Sequence, residues 1–192
     1  MASITSKQIL GEFIKSLSCK QPTPGGGAAA AVGAAIGASA ASMSANYTQR
    51  KKDKESGAAS KADALLATFN LEELLTAADE DAAAYADLQR TWKDTTISQE
   101  EKASIEAHAL AVPVNLLETC HKHILDIEQF LPSCNPNITS DAKVGIHQLA
   151  GAARAAYQTA LVNSPSDEEK ERLKSLLKEI RNVEDTLLEL EK

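Results

Sequence analysis

Aromatic residues are scarce in this 192-residue chain, at 4% of the total with a single tryptophan. Strands are built from β-branched and aromatic residues, so the shortage weighs against sheet and for helices packed through small side chains. There are three cysteines, Cys19, Cys120 and Cys134, and no Cys-x-x-Cys pair. That odd, wide spacing excludes a disulfide framework or zinc ribbon and fits a reduced, cytoplasmic chain. Positive charge is in deficit, with 20 Lys and Arg against 27 Asp and Glu and a net charge of −7. A general nucleic-acid binder would show a basic face, so no nucleic-acid partner is expected. A local cluster of donors for a small anion remains compatible with that balance. The N-terminus lacks the apolar stretch of a signal peptide. The uncharged run from Gly25 to Gln49 is long enough to cross a bilayer. It is mostly Ala, Gly and Ser, however, and insertion draws on Leu, Ile, Phe and Val. A buried helix of a globular protein is expected instead, with no membrane partner.

Helical spacing accounts for most of the rest. The pattern predicts an all-α, single-domain bundle of about six helices over residues 1–192, with a central helix rich in small residues. A first helix is expected from Lys7 to Leu17, capped by Ser6, with Leu10, Phe13, Ile14 and Leu17 as its apolar stripe. Pro22, Pro24 and three glycines then break regular structure. The small-residue helix follows from Gly26 to Gln49, and Gly33 and Gly37 permit close backbone approach. After a basic connector at Lys51 to Lys54, a long third helix is expected from Glu55 to Thr91. A fourth opens at Ser98 and runs to Phe130, with a kink or split at Pro113. A fifth, capped by Ser140 and Asp141, reaches Asn163. The sixth starts at Ser166 and carries a heptad seam of Leu173, Leu176, Ile180, Val183, Leu187 and Leu190. Such a seam serves equally well against its own bundle or across a dimer.

Three features carry possible chemistry. Gly25, Gly26 and Gly27 lead into a helix whose free N–H groups and dipole can hold a carboxylate, phosphate or carbonyl oxygen. The same glycines also serve as a plain turn into a tightly packed helix. Leu71, Leu74, Ala78, Asp81, Tyr85 and Leu88 share one helical stripe. An acid on an apolar stripe has its pKa raised by burial, which suits proton transfer near neutral pH; it equally suits a buried structural hydrogen bond. Lys143, His147 and Arg154 lie on one face of the fifth helix, either as a solvated stripe or as a seat for an anionic tail. The histidines show no metal-ligand spacing, so no metal is expected.

Taken in order, these segments resemble the cyclodeaminase domain of formiminotransferase-cyclodeaminase and its stand-alone methenyltetrahydrofolate cyclohydrolase relatives. The resemblance rests on Pro22-Thr23-Pro24-Gly25-Gly26-Gly27 and a small-residue helix ending in Asn46-Tyr47-Thr48. It continues through Asp79 to Tyr85, similar to the family's Asp-x-x-Ala-aromatic signature. Ala111-Val112-Pro113-Val114, the Asn137 to Asp141 loop, Arg154 and Asn163 complete it. Ala28 stands where the family usually has Ser, and Thr159 to Asn163 keeps only the last Asn of the family's Asn-Val-x-Ile-Asn.

The resemblance implies a homodimer binding a tetrahydrofolate near its interface, with no cofactor beyond that substrate. It implies cyclodeamination of 5-formiminotetrahydrofolate to 5,10-methenyltetrahydrofolate with loss of ammonia. Methenyltetrahydrofolate cyclohydrolase activity is the alternative, and a non-catalytic folate-binding protein on the same scaffold a further one. Asp81 is the expected acid/base. Pro24, Gly25, Gly26, Gly27, Asn46, Tyr85, Ser140, Asp141, Lys143 and Arg154 are the expected substrate contacts, with Lys143 and Arg154 toward the glutamate tail.

Overall fold

A computed structural model describes residues 9–190. Within them the chain forms eight α-helices and one 3-10 turn, and no strand. They are α1 (Leu10–Leu17), α2 (Gly26–Asn46), α3 (Lys51–Glu55), α4 (Ala58–Leu66), α5 (Leu71–Lys93), α6 (Gln99–Phe130), α7 (Thr139–Val162) and α8 (Asp167–Leu187). The all-α bundle expected from the sequence is therefore present, with more helices than six.

The extra helices come from local breaks. The third helix expected from Glu55 to Thr91 is three pieces. Gly57 adopts φ 79°, a left-handed conformation that ends α3 and starts α4. Thr68 then turns its hydroxyl onto the Leu65 carbonyl at 2.8 Å. Asn70 caps α5 by accepting the Glu73 N–H at 3.2 Å. The basic connector is itself helical, because Asp53 gathers Arg50 through its backbone N–H and guanidinium. By contrast α6 is not split at the buried Pro113 and continues as one helix. Ser140 and Asp141 sit inside the first turn of α7 rather than capping it. Asn135 organises that loop instead: its side chain accepts the Asn137 N–H and donates to the Tyr47 carbonyl. Ser98 and Ser166 cap α6 and α8 as read from the sequence, each accepting an N–H at 3.1 Å. The Ser6 cap lies outside the described residues.

Helix α2 is the centre of the bundle, packed against α4, α5, α6 and α7. Eleven of its residues are buried, all Ala, Gly or Ser. This helix is long and apolar enough to cross a membrane. Here its small side chains let α7 come to backbone contact. A Cβ placed on Gly37 would lie 2.9 Å from the Leu149 nitrogen, and one on Gly145 2.9 Å from the Gly37 carbonyl oxygen. Larger side chains from α6 and α7, among them Leu117, Ile124, Ile127, Ile146 and Leu149, fill the remaining volume.

The seam of α8 turns inward, with Leu173, Ile180 and Val183 buried against α6 and α7. It serves its own bundle. Replacing Gly145 with Ala should separate α2 from α7 and cost about 1–3 kcal/mol, the usual range for overpacking. A urea midpoint unchanged from wild type would show that the two helices are not held in backbone contact.

Candidate active site

At the N-terminal end of α2 an open cavity of about 630 Å³ lies between four helices. Pro22, Thr23 and the three glycines form one wall. Helix α5 contributes Asp81, Ala84, Tyr85 and Leu88; α6 contributes Ala109 and Val112; α7 contributes Ala155, Gln158, Thr159, Val162 and Asn163.

Gly25 is the N-cap of α2, and no acidic residue stands in the first turn to offset its dipole. The acid arrives from α5. Asp81 accepts the Ala28 N–H, one of the donors a helix start leaves unpaired. Burial drives the Asp81 pKa up, and that single amide offsets the rise only in part. The contact depends on Gly27: a Cβ there would fall 1.9 Å from Asp81 Oδ1 and 2.3 Å from its carboxyl carbon. A Cβ on Gly26 would meet nothing within 4 Å. The glycines are thus not equivalent. Gly27 makes room for the carboxylate, while Gly25 and Gly26 leave backbone open to the cavity.

The stripe on α5 therefore has a chemical end. Asp81 and Tyr85 both face the cavity, as the sequence suggested. Pro24 is buried beneath the loop. Ala155, Gln158, Thr159 and Val162 of α7 line the opposite wall; the sequence had set Thr159 and Val162 apart only as part of a departure from the family pattern, and had not marked Ala155 or Gln158. The spacing of the four, by three, one and three, was the available signal. Asn163 donates to the Ala109 carbonyl at 2.8 Å and so ties the end of α7 to α6 at the cavity wall. The departure at Ala28 is away from the cavity: this side chain is fully buried, and the residue acts through its N–H.

The remaining expected contacts lie elsewhere in the chain. Asn46 sits nineteen residues beyond Gly27 on α2, about 28 Å along the axis. Ser140, Asp141 and Lys143 begin α7, at that same far end beside the Tyr47–Asn135 loop. Arg154 and His147 both turn to α8 and bond Glu184. Glu184 is 7% exposed. Burial alone would raise its pKa, but the bonds from Arg154 and His147 outweigh this and hold it below the ordinary value. The face of Lys143, His147 and Arg154 is consequently a helix-to-helix clamp in part, not one free anion seat.

Residues 9–182 match the family described as formiminotransferase-cyclodeaminase. The chain belongs to this family. Methenyltetrahydrofolate cyclohydrolase of Methylorubrum extorquens is 28% identical over 180 residues, covering 89% of this chain and 86% of that protein. The crystal structure of formiminotetrahydrofolate cyclodeaminase from Thermotoga maritima superposes with a TM-score of 0.81 at 23% identity, covering 95% of this chain and 96% of that one. At that identity the likeness speaks for the fold, and the bundle around α2 is the formiminotransferase-cyclodeaminase helical fold over nearly its full length.

Proposed function

We propose that the protein is a cytoplasmic enzyme of folate one-carbon metabolism that closes 5-formiminotetrahydrofolate to 5,10-methenyltetrahydrofolate. The observation that carries this reading is a half-buried carboxylate of raised pKa, seated at a helix N-terminus inside a cavity of substrate size. The N10 nitrogen attacks the carbon of the protonated, cationic formimino group, giving a tetrahedral centre bonded to N5, N10 and an amino group. Asp81 takes the proton released from N10 and returns it to the amino nitrogen. The carbon–nitrogen bond then breaks with its electron pair going to ammonia, leaving the methenyl cation. A carboxylate whose pKa lies above the ordinary range is the stronger base for the first transfer and still able to give the proton back. These steps use no metal or organic cofactor beyond the folate. The unpaired cysteines fit a reducing compartment.

The Methylorubrum relative supports a second reading, the cyclohydrolase reaction. There Asp81 would deprotonate water as it adds to the methenyl carbon. The N5–carbon bond would break and N5 take up a proton, giving 10-formyltetrahydrofolate and one net proton. Both reactions use the same carboxylate at the same carbon, and following the methenyl chromophore with each folate tells them apart.

A homodimer belongs to the same reading. Helix α2 carries no charged side chain over its 21 residues. It leaves Ile36 and Met43 exposed, and Val144 of α7 is exposed as well. Two copies related by a two-fold axis near the middle of α2 would bring Asn46, Ser140, Asp141 and Lys143 of one toward the cavity of the other. Sedimentation should give twice the chain mass, and Ile36→Asp with Met43→Asp should give a monomer; a wild-type monomer contradicts the arrangement.

Asp81→Asn should lower turnover on the order of a hundredfold or more. Its stability should move the other way. A raised folded-state pKa means that the stability from this group is present when it is protonated and is lost as pH rises through that pKa. Near pH 7 the Asn variant should therefore melt at or above the wild-type temperature, with the gain fading below the ordinary carboxylate range. An active Asp81→Asn protein would remove Asp81 from the mechanism.

A further inference from the structure

The stripe on α5 does not stop at Leu88. Trp92 follows four residues later, at the same helical spacing, and is the only tryptophan in the chain. Its ring leans back along the helix to meet Tyr85 edge to face, with centroids 6.2 Å apart and planes at 82°. The indole is 64% exposed, an unusual position for the largest apolar side chain in an aromatic-poor protein.

It stands over a second cavity of about 490 Å³, lined also by Glu106, Ala107, Leu110 and Ser164. Tyr85, Leu88, Val162 and Asn163 line both cavities, so the two form one groove with two ends. The ends differ in that only one carries the paired rings. Around Asp81 the walls offer open backbone at Gly25 and Gly26 and the side chains of Thr23, Gln158 and Thr159. Around Trp92 the Tyr85 and Trp92 rings stand with Leu88, Leu110 and Val162, and Glu106, Asn163 and Ser164 add polar groups at the rim. Glu106 there is offset by Lys102 at 3.8 Å.

We infer that the Tyr85–Trp92 end of this groove receives the p-aminobenzoyl ring of the folate and sets the affinity for it, an inference that rests on the folate reading above. N10 is bonded directly to that ring. If N10 meets Asp81, the ring must lie immediately beside it, and Tyr85 is one turn away, about 6 Å along α5. The pterin then lies toward the open backbone of Gly25 and Gly26 and the side chains of Thr23, Gln158 and Thr159. The flat, apolar benzoyl ring lies against the aromatic pair. Trp92 is in this account a binding residue that never touches the reacting atoms.

Titrating the full-length protein with 5-formyltetrahydrofolate, followed by Trp92 emission with inner-filter correction, tests this directly. A tetrahydropterin lacking the p-aminobenzoylglutamate is the comparison ligand. Folate should quench the emission and the bare pterin should not. In steady-state assays Trp92→Ala should raise KM roughly five- to tenfold, the scale of one aromatic contact, with a much smaller change in kcat. Trp92→Phe should recover most of that loss. Equal quenching by the bare pterin, or a Trp92→Ala enzyme with unchanged KM, would overturn the inference while leaving the folate reading intact. A wild-type protein that turns over neither folate would instead remove the reading on which it rests.

Discussion

The fold depends on the near absence of side-chain volume on α2. A helix with eleven buried Ala, Gly and Ser positions cannot build a core by its own bulk. It lets its neighbours come close, and dispersion between backbones and short side chains replaces the contacts that larger residues would have made. The same constraint acts at two depths. At Gly37 it admits α7, with Gly145 as the matching gap. Ten residues earlier, at Gly27, it admits a single carboxylate. Structure and site are thus two uses of one device.

That device also explains why Asp81 has unusual electrostatics without a charged partner. Among the described residues no lysine or arginine is placed against it; burial moves its pKa up and the Ala28 N–H opposes this only in part. Glu184 supplies the contrast within the same chain. It is more deeply buried than Asp81, but Arg154 and His147 reverse the direction, and the result is a clamp between α7 and α8. A half-buried and a buried acid therefore have opposite roles, set by whether cations or a lone amide meet them.

Much of this was legible in the sequence. Scarce aromatics and the Gly25 to Gln49 run pointed to a helical bundle around a small-residue helix, and the spacing of Asp81 and Tyr85 placed both on one face. Helix breaks were harder, because Gly57 and Asn70 act through local backbone geometry that an uninterrupted apolar pattern conceals. Pro113 does not split α6, which continues as helix on both sides of it. Ala155 and Gln158 of the α7 wall were missed because they are small or uncharged and stand out only once α5 faces them. Trp92 was within reach: it continues the α5 stripe by one more turn. What no spacing rule conveys is that Asn46 and Lys143 lie at the opposite end of the α2–α7 pair from Asp81.

The central claim is that the missing side chain at Gly27 is what seats the working carboxylate. The most direct measurement compares folate turnover by Gly27→Ala and Gly26→Ala, both checked for helical content by circular dichroism. Asp81 can swing aside, so Gly27→Ala should fold normally and still lose turnover on the order of a hundredfold, as expected when a general acid/base is displaced. Gly26→Ala, with open space around it, should fold equally well and lose far less. A Gly27→Ala enzyme as active as Gly26→Ala would contradict the account.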